Sequence, residues 1–368
     1  MRDTILAGLA LASSWTWVIG MYLPRILLER FGWAGFFVFA VSNVLGCAAF
    51  GRVVHDEGEI NERISNSASW FSSATIAFHL FFSVFLTKTL WPEDYGVLPD
   101  SYVFLSPLLL LGAAYPLSLL NLRRLILVGA LIWCFSLSCL FCLWGNSVDV
   151  RPASPSVESF YLLPLMAGGF LICPYLDLTF YEVRKAYSQR AFDVFGIAFS
   201  AMLALTVLIW MTPPPHLWWL PLLHLGLQSV FTIAFHIGAL RRERQRRNDS
   251  NLFPAQAVFL PCLVSLLAWY GLTGGRSSDE LWYLRFLFLY GVAFPSIFLV
   301  SRKFQGGPLI LSVVLIMAAT AYPAELCFAR NEPAWALMPG GAVLLLFAFF
   351  RDRPENIGRD PERQGAHR

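Results

Sequence analysis

Charge is what this chain has least of. Asp, Glu, Lys and Arg make up 14% of its 368 residues, while hydrophobic types make up 57%. A soluble domain carries about 25% charged residues, so this balance, with a mean hydropathy of +0.59, excludes an ordinary water-soluble domain and indicates an integral membrane protein. The short alternating strands of a membrane barrel are missing too. There is no glycine-rich phosphate loop, no nucleophile elbow and no H-x-x-x-H or H-E-x-x-H pair, which excludes ATP-driven transport by this chain alone and leaves enzymatic chemistry without its usual signatures. The basic residues form no single stripe, which argues against a nucleic-acid partner. None of the cysteines (Cys47, Cys134, Cys139, Cys142, Cys173, Cys262, Cys327) lies in a polar loop, which argues against a disulfide framework. Cys139 and Cys142 spell C-x-x-C within an apolar run with no second pair, and read as core packing.

What is there is a succession of apolar runs, each of a length that spans a bilayer as a helix. They predict spans at 4–28, 31–51, 70–90, 102–122, 125–144, 159–181, 191–211, 218–240, 255–272, 281–301, 308–328 and 334–350. Arg2 followed by an apolar run and Ala10-Leu11-Ala12 has the look of a cleaved signal. The run continues through Trp17 and Tyr22, so it is read as the first span. Placing the N-terminus in the cytoplasm puts most Lys and Arg in cytoplasmic loops. Arg25, Arg30, Lys88, Arg151, Arg276, Arg285 and Arg330 alone fall outside or near the outer helix ends. The expectation is an all-α polytopic protein of the cytoplasmic (inner) membrane, with both termini cytoplasmic and residues 1–350 as one transmembrane domain. RRERQRR from Arg241 reads as a topology-fixing loop, with an anionic-lipid contact as the functional alternative. The polar tail 351–368 reads as disordered. Tryptophans such as Trp91, Trp218 and Trp219 mark an interfacial belt.

Two spans are interrupted. AGGFLICPYLDLTFYEVRKAYSQR, from Ala167 to Arg190, sets Gly168, Gly169, Pro174 and Asp177 within one apolar run. Proline removes a backbone donor, and an intramembrane carboxylate is costly enough to mark a functional candidate. SSWTWVIGMYLPRILLER, from Ser13 to Arg30, is broken in the same manner at Gly20 and Pro24. Paired interruptions in corresponding halves point to a secondary transporter's binding site. Small-residue seams follow each of them, Ser42 and Gly46 in the second span and Gly196, Ser200 and Ala204 in the seventh. With five spans per half, the halves start on opposite sides of the membrane, as inverted repeats.

These features resemble the leucine-transporter (LeuT) fold of the amino acid, polyamine and organocation superfamily. TWVIGMYLPRILLERFGWAGFFVFAVSNVLGCAAFG and LICPYLDLTFYEVRKA look closest to sodium/solute symporter relatives. The resemblance implies repeats at about 4–144 and 159–301, with extra helices at 308–350. It implies a mid-membrane site between helices one, three, six and eight. Carried over, helix one offers Ser14, Thr16 and backbone near Gly20; helix six offers backbone at Pro174 with Tyr175 and Asp177. Half-helix ends and unwound carbonyls would hold solute and ion. For a coupling ion, Na+ or H+, the implied set is Gly20, Asp177, Ser229 and Thr232. In the family the helix-eight hydroxyls are adjacent; Ser229 and Thr232 stand three apart.

His79, in the middle of the third span, is a further substrate-site or proton-coupling candidate, against the plain reading of an imidazole bonded to a neighbouring hydroxyl. His224 and His236 are twelve residues apart in one span and do not chelate one ion together. Arg285 and Glu325 read as pathway charges, as a pair near the outer surface, or as snorkelling side chains. The expected function is ion-coupled transport of a small polar solute of the amino acid, sugar or carboxylate class, without enzymatic activity or a resident cofactor. The alternatives are a non-transporting membrane sensor or assembly subunit, and a membrane-embedded metal-dependent enzyme.

Overall fold

The computed structural model describes residues 1–16, 19–54, 62–89, 100–144, 152–208, 217, 219–248, 276–303 and 307–351. Every regular element among them is helical. In chain order these are α1 (Arg2–Thr16), α2 (Ile19–Val53), α3 (Glu62–Thr89), α4 (Asp100–Ser118), α5 (Leu122–Leu143), α6 (Leu163–Phe170), α7 (Leu178–Ala186), α8 (Arg190–Leu208) and α9 (Trp219–Arg247). Then follow α10 (Arg276–Phe288), α11 (Phe294–Lys303), α12 (Gly307–Ala329) and α13 (Leu337–Arg351). A π-helical turn, Leu289–Ala293, joins α10 to α11, and short 3-10 turns precede α6, α7 and α13. Among the described residues seven helical segments are long and apolar enough to cross a membrane, so the chain is an integral, polytopic membrane protein. The span expected at 255–272, with Cys262, and the tail beyond Arg351 lie outside the described residues.

Continuous helix through α2 would run about 1.5 Å per residue for some 50 Å, well beyond a hydrocarbon core of about 30 Å. Gly32 resolves this. Its φ of 66° and ψ of −166° break the helix, and the chain folds back so tightly that a Cβ on Gly35 would lie 3.1 Å from the Leu27 carbonyl oxygen. Eight residues of straight helix would separate those positions by about 12 Å. α2 is therefore a hairpin of two arms, 19–31 and 33–53, turning where the sequence predicts the boundary between its first two spans. The carbonyl of Leu28 accepts from Ala153 N at 3.1 Å and that of Phe31 from Ser159 Oγ at 2.9 Å, so the turn's freed acceptors are satisfied.

The glycines of the two small-residue seams sit at close helix contacts, while Ser200 and Ala204 of the second seam are exposed. A Cβ on Gly46 would lie 2.6 Å from the Leu171 carbonyl oxygen, and one on Gly196 3.2 Å from the Ala48 methyl. The second arm of α2 is thus packed between α6 and α8. α1 lies along α8 and α5, α3 and α5 lie along α9, and α10 with its π turn packs on α3 and α6. Leu108, Leu131, Leu315 and Leu345 point outward as large exposed apolar side chains, the surface a bilayer covers. Basic segments gather at one end: Arg52 pairs with Asp193 at 2.5 Å, Arg184 donates to Val54 O at 2.9 Å and Arg241 to Leu119 O at 3.3 Å. Arg30 marks the opposite end, bonded to Phe328 O at 2.5 Å, to Asn331 at 2.9 Å and to Glu280.

A methyl at Gly32 meets both a glycine-only backbone conformation and the Ala153 carbonyl oxygen, 2.7 Å from an ideal Cβ. Gly32→Ala is predicted to cost about 2 kcal/mol, read as a lowered thermal midpoint of the purified protein. Gly112→Ala, inside α4 with nothing within 4 Å, should leave the midpoint unchanged or raise it slightly.

Candidate functional site

The sixth span is built from breaks. α6 ends at Phe170, residues 171–172 turn, Pro174 opens the 3-10 turn Cys173–Leu176, and α7 begins after an extended Asp177. Proline suits that opening position because its missing N–H would find no partner there. Gly169 is required because a Cβ would fall 2.3 Å from Gly291 O, where α6 and the π turn touch backbone to backbone. The break retains its hydrogen bonds: Leu171 N to Ala167 O, Ile172 N to Gly169 O, Tyr175 N to Ile172 O and Asp177 N to Pro174 O, all between 2.9 and 3.2 Å.

Asp177 is 1% exposed. Its Oδ1 accepts from Thr179 N at 2.8 Å and Thr179 Oγ1 at 2.7 Å, the N-cap of α7. Its Oδ2 has no hydrogen bond among the described residues and lies 3.8 Å from His236 Nε2, on an equally buried ring. His236 Nδ1 is likewise without a hydrogen bond there. His79 Nδ1 lies 2.6 Å from its own helix's Thr75 O, a carbonyl rather than a hydroxyl. Thr75 Oγ1 continues the layer to Tyr290 OH at 2.8 Å. On α1, Ser14 O accepts from Thr232 Oγ1 at 3.1 Å, and Trp15 Nε1 donates to Asn43 Oδ1 at 2.9 Å. The result is a polar layer inside an apolar bundle, bordered by α1, α2, α3, α7, α9 and the π turn.

The remaining expected residues divide. Ser14 meets α9 through its backbone, while its buried Oγ has no partner among the described residues. Thr16 Oγ1 donates to Ala12 O at 2.5 Å and Ser229 Oγ to Leu225 O at 2.7 Å, each turned back onto its own helix. Thr232 also bonds Gln228 O at 2.9 Å. Gly20 packs against Phe199 and Leu203 of α8. Pro174 is buried, and Tyr175 lies against Phe50 with ring centroids 5.3 Å apart while its carbonyl accepts from Tyr181 OH at 3.0 Å. His224 is buried, both ring nitrogens without a hydrogen bond among the described residues. Among those residues no three His, Cys, Asp or Glu side chains gather to hold a metal ion.

Ion pairs sit beyond the layer at each end. Glu182 of α7 is buried and binds Arg242 at 2.5 Å and also Arg246; Arg246 reaches Glu243 at 2.6 Å, and Glu243 accepts from Ser65. The run from Arg241 is helix, the last turns of α9, and Arg241, Arg242, Arg246 and Arg247 each bond protein groups. At the Arg30 end, Tyr22 and Tyr283 meet edge to face at 4.9 Å beside Phe85, and Arg285 grips Glu325 with two bonds of 2.6 and 2.7 Å. His236, Asn43, Tyr290 and Glu182 were not singled out as site residues by sequence reasoning; only His236 carried a signal, as an intramembrane imidazole. No protein-family model matches the chain, and no curated protein shows a significant match to it.

As the cap of α7, Asp177 is predicted to tolerate amide but not methyl. Asp177→Ala should lower stability by about 1 kcal/mol or more, and Asp177→Asn by a few tenths, because asparagine caps as well as aspartate. Thermal unfolding of the two variants side by side checks this.

Proposed function

We propose that the chain is an ion-coupled secondary transporter of a small polar solute, working by alternating access on a LeuT-like frame. The frame is two inverted five-span repeats, 4–144 and 159–301, with two further spans at 308–350, twelve in all. The observation that carries the function is the broken helix around Asp177: a buried carboxylate with one uncommitted oxygen, beside an imidazole, at an interruption inside the bundle. Such sites mark solute and ion pathways. The packing supports the repeat, because contacts recur when the first five spans are exchanged for the second five. α1 on α8 answers to α6 on α2, α5 on α9 to α10 on α3, and α1 on α5 to α6 on the π turn.

Asp177 supplies the negative charge for the coupling ion, Na+ or H+, since Ser229 and Thr232 spend their hydroxyl protons on carbonyls and leave their oxygens as neutral acceptors. Solute binds against the polar layer of Ser14, His79, Asp177 and the backbone at Pro174. The Glu182–Arg242–Arg246 cluster and the Arg30–Glu280 pair, at opposite ends, are then the contacts that open alternately. The basic end, with both termini, faces the cytoplasm across the inner membrane by the distribution of Lys and Arg.

Thermal stability of the purified protein in sodium, potassium and choline salts, against amino acids, sugars and carboxylates, should single out one solute class with its ion, because a ligand of the native state raises stability with occupancy. In proteoliposomes, Asp177→Asn is predicted to reduce gradient-driven accumulation of that solute to the level of empty liposomes. Undiminished accumulation refutes the role of Asp177. No stabilising solute, with a protein partner that co-purifies, would instead favour a sensor or assembly subunit.

A further inference from the structure

A second polar site lies at the basic end, away from the broken helix. Arg2 of α1, Arg123 and Arg124 of α5, and Tyr187 between α7 and α8 line a pocket of about 260 Å³. Asp3 is the one carboxylate in its lining, so the pocket keeps two net positive charges. No ion pair is formed by these three arginines among the described residues. The cap of α5 is already taken, with Asn121 Oδ1 accepting from Arg124 N at 2.9 Å, so the side chains and not the helix end carry the attraction. Burial and the Asp3 carboxylate push the Tyr187 hydroxyl above its ordinary range against the pull of Arg123, and at physiological pH a tyrosine hydroxyl is in any case a neutral donor.

The floor of the pocket is apolar, formed by Leu6, Ile126 and Leu127. From that floor an exposed stripe descends one face of α5 at four-residue spacing: Leu127, Leu131 and Phe135, 44%, 61% and 40% exposed. A cationic pocket directly above an outward apolar stripe matches an amphiphile, with its anionic group level with the arginines and its chains alongside α5. Basic pockets between helix ends are the usual seats of anionic headgroups, and guanidinium is the group best shaped for phosphate.

We propose that this pocket binds the phosphate of an anionic phospholipid, whose acyl chains lie along Leu127, Leu131 and Phe135. The bound headgroup bridges α1 to α5, two helices already in contact where a Cβ on Gly129 would lie 2.8 Å from the Ala10 methyl. It thereby anchors α1. The assignment stands independently of the transport reading.

The test compares the full-length protein in nanodiscs of phosphatidylcholine alone and of phosphatidylcholine with phosphatidylglycerol, reading thermal stability and, by native mass spectrometry, the lipid retained. Wild type should retain phosphatidylglycerol preferentially and unfold at a higher temperature in its presence. Each arginine near the surface contributes about five-fold in affinity, so Arg123→Gln with Arg124→Gln should weaken that retention about 25-fold. Arg330→Gln, at the opposite end, should leave it unchanged. Equal retention of the two lipids by wild type, or full retention by the double variant, overturns the proposal. Stabilisation by inorganic phosphate alone, at matched ionic strength and without phosphatidylglycerol preference, assigns the pocket to a free anion and overturns it as well.

Discussion

A backbone amide in hydrocarbon has no water to turn to, so a membrane protein breaks a helix only where the protein itself supplies new partners. That constraint governs the segment from Leu163 to Ala186. Its interruption is a relay of short turns, each N–H passed to a carbonyl three or four residues back, ending at Asp177, whose side chain accepts the amide that the next helix leaves over. Its neighbours follow from the same need. Gly46 and Gly169 let the second arm of α2 and the π turn press backbone against the break, so its freed groups lie in protein rather than lipid. The carboxylate at the centre of the molecule is first of all a solution to hydrogen bonding, and its second oxygen is what remains for chemistry.

Charge is distributed by the same economy. Buried ionisable groups cost several kcal/mol unless paired, and the described chain places its strongest pairs toward the two ends. Glu182 meets two arginines, and Glu325 takes both arms of one guanidinium. Between the ends the polar layer is made of hydroxyls, amides, imidazoles and one carboxylate. In the transport reading, a central layer of modest polarity between two ion-paired ends suits alternating access, because charges that separate at an end regain water.

The parts written in local sequence were legible. Apolar run lengths place the described helices, and Pro174 in an apolar run locates the break at 171–177, although Gly168 and Gly169 stay within α6 and the interruption expected at Gly20 and Pro24 falls within the continuous first arm of α2. The turn between the first two spans was legible to within a few residues, since Gly32 lies just inside the second expected run, 31–51. What the sequence hid is whatever needs a partner far along the chain. His236 lies 59 positions from Asp177, and no periodicity in α9 distinguishes it from His224, whose ring nitrogens find no partner among the described residues. The run from Arg241 reads as loop by composition. It continues α9 as helix, and Glu182, the acid that pairs with Arg242 and Arg246, stands far away in the sequence. Gly20 reads as an interruption but packs as a small contact against Phe199, because glycine serves both ends in lipid.

Those distant partners also account for α7. A nine-residue helix buries little area of its own, yet α7 carries a carboxylate before its first turn and another in its second, and both address α9. Asp177 and Glu182 are five positions apart, His236 and Arg242 six, a rise of about 8 Å on either helix. The two charged contacts are therefore roughly one and a half turns apart on helices running in the same direction. The inner one joins the central layer and the outer one the basic end. The break at 171–177 frees α7 from the continuous helical ladder that would tie it to α6. In the transport reading this makes α7 with α9 the unit through which an event at Asp177 reaches the Glu182 closure. The requirement is only that charge on one carboxylate alters the position of a short rigid rod whose other carboxylate holds the end shut.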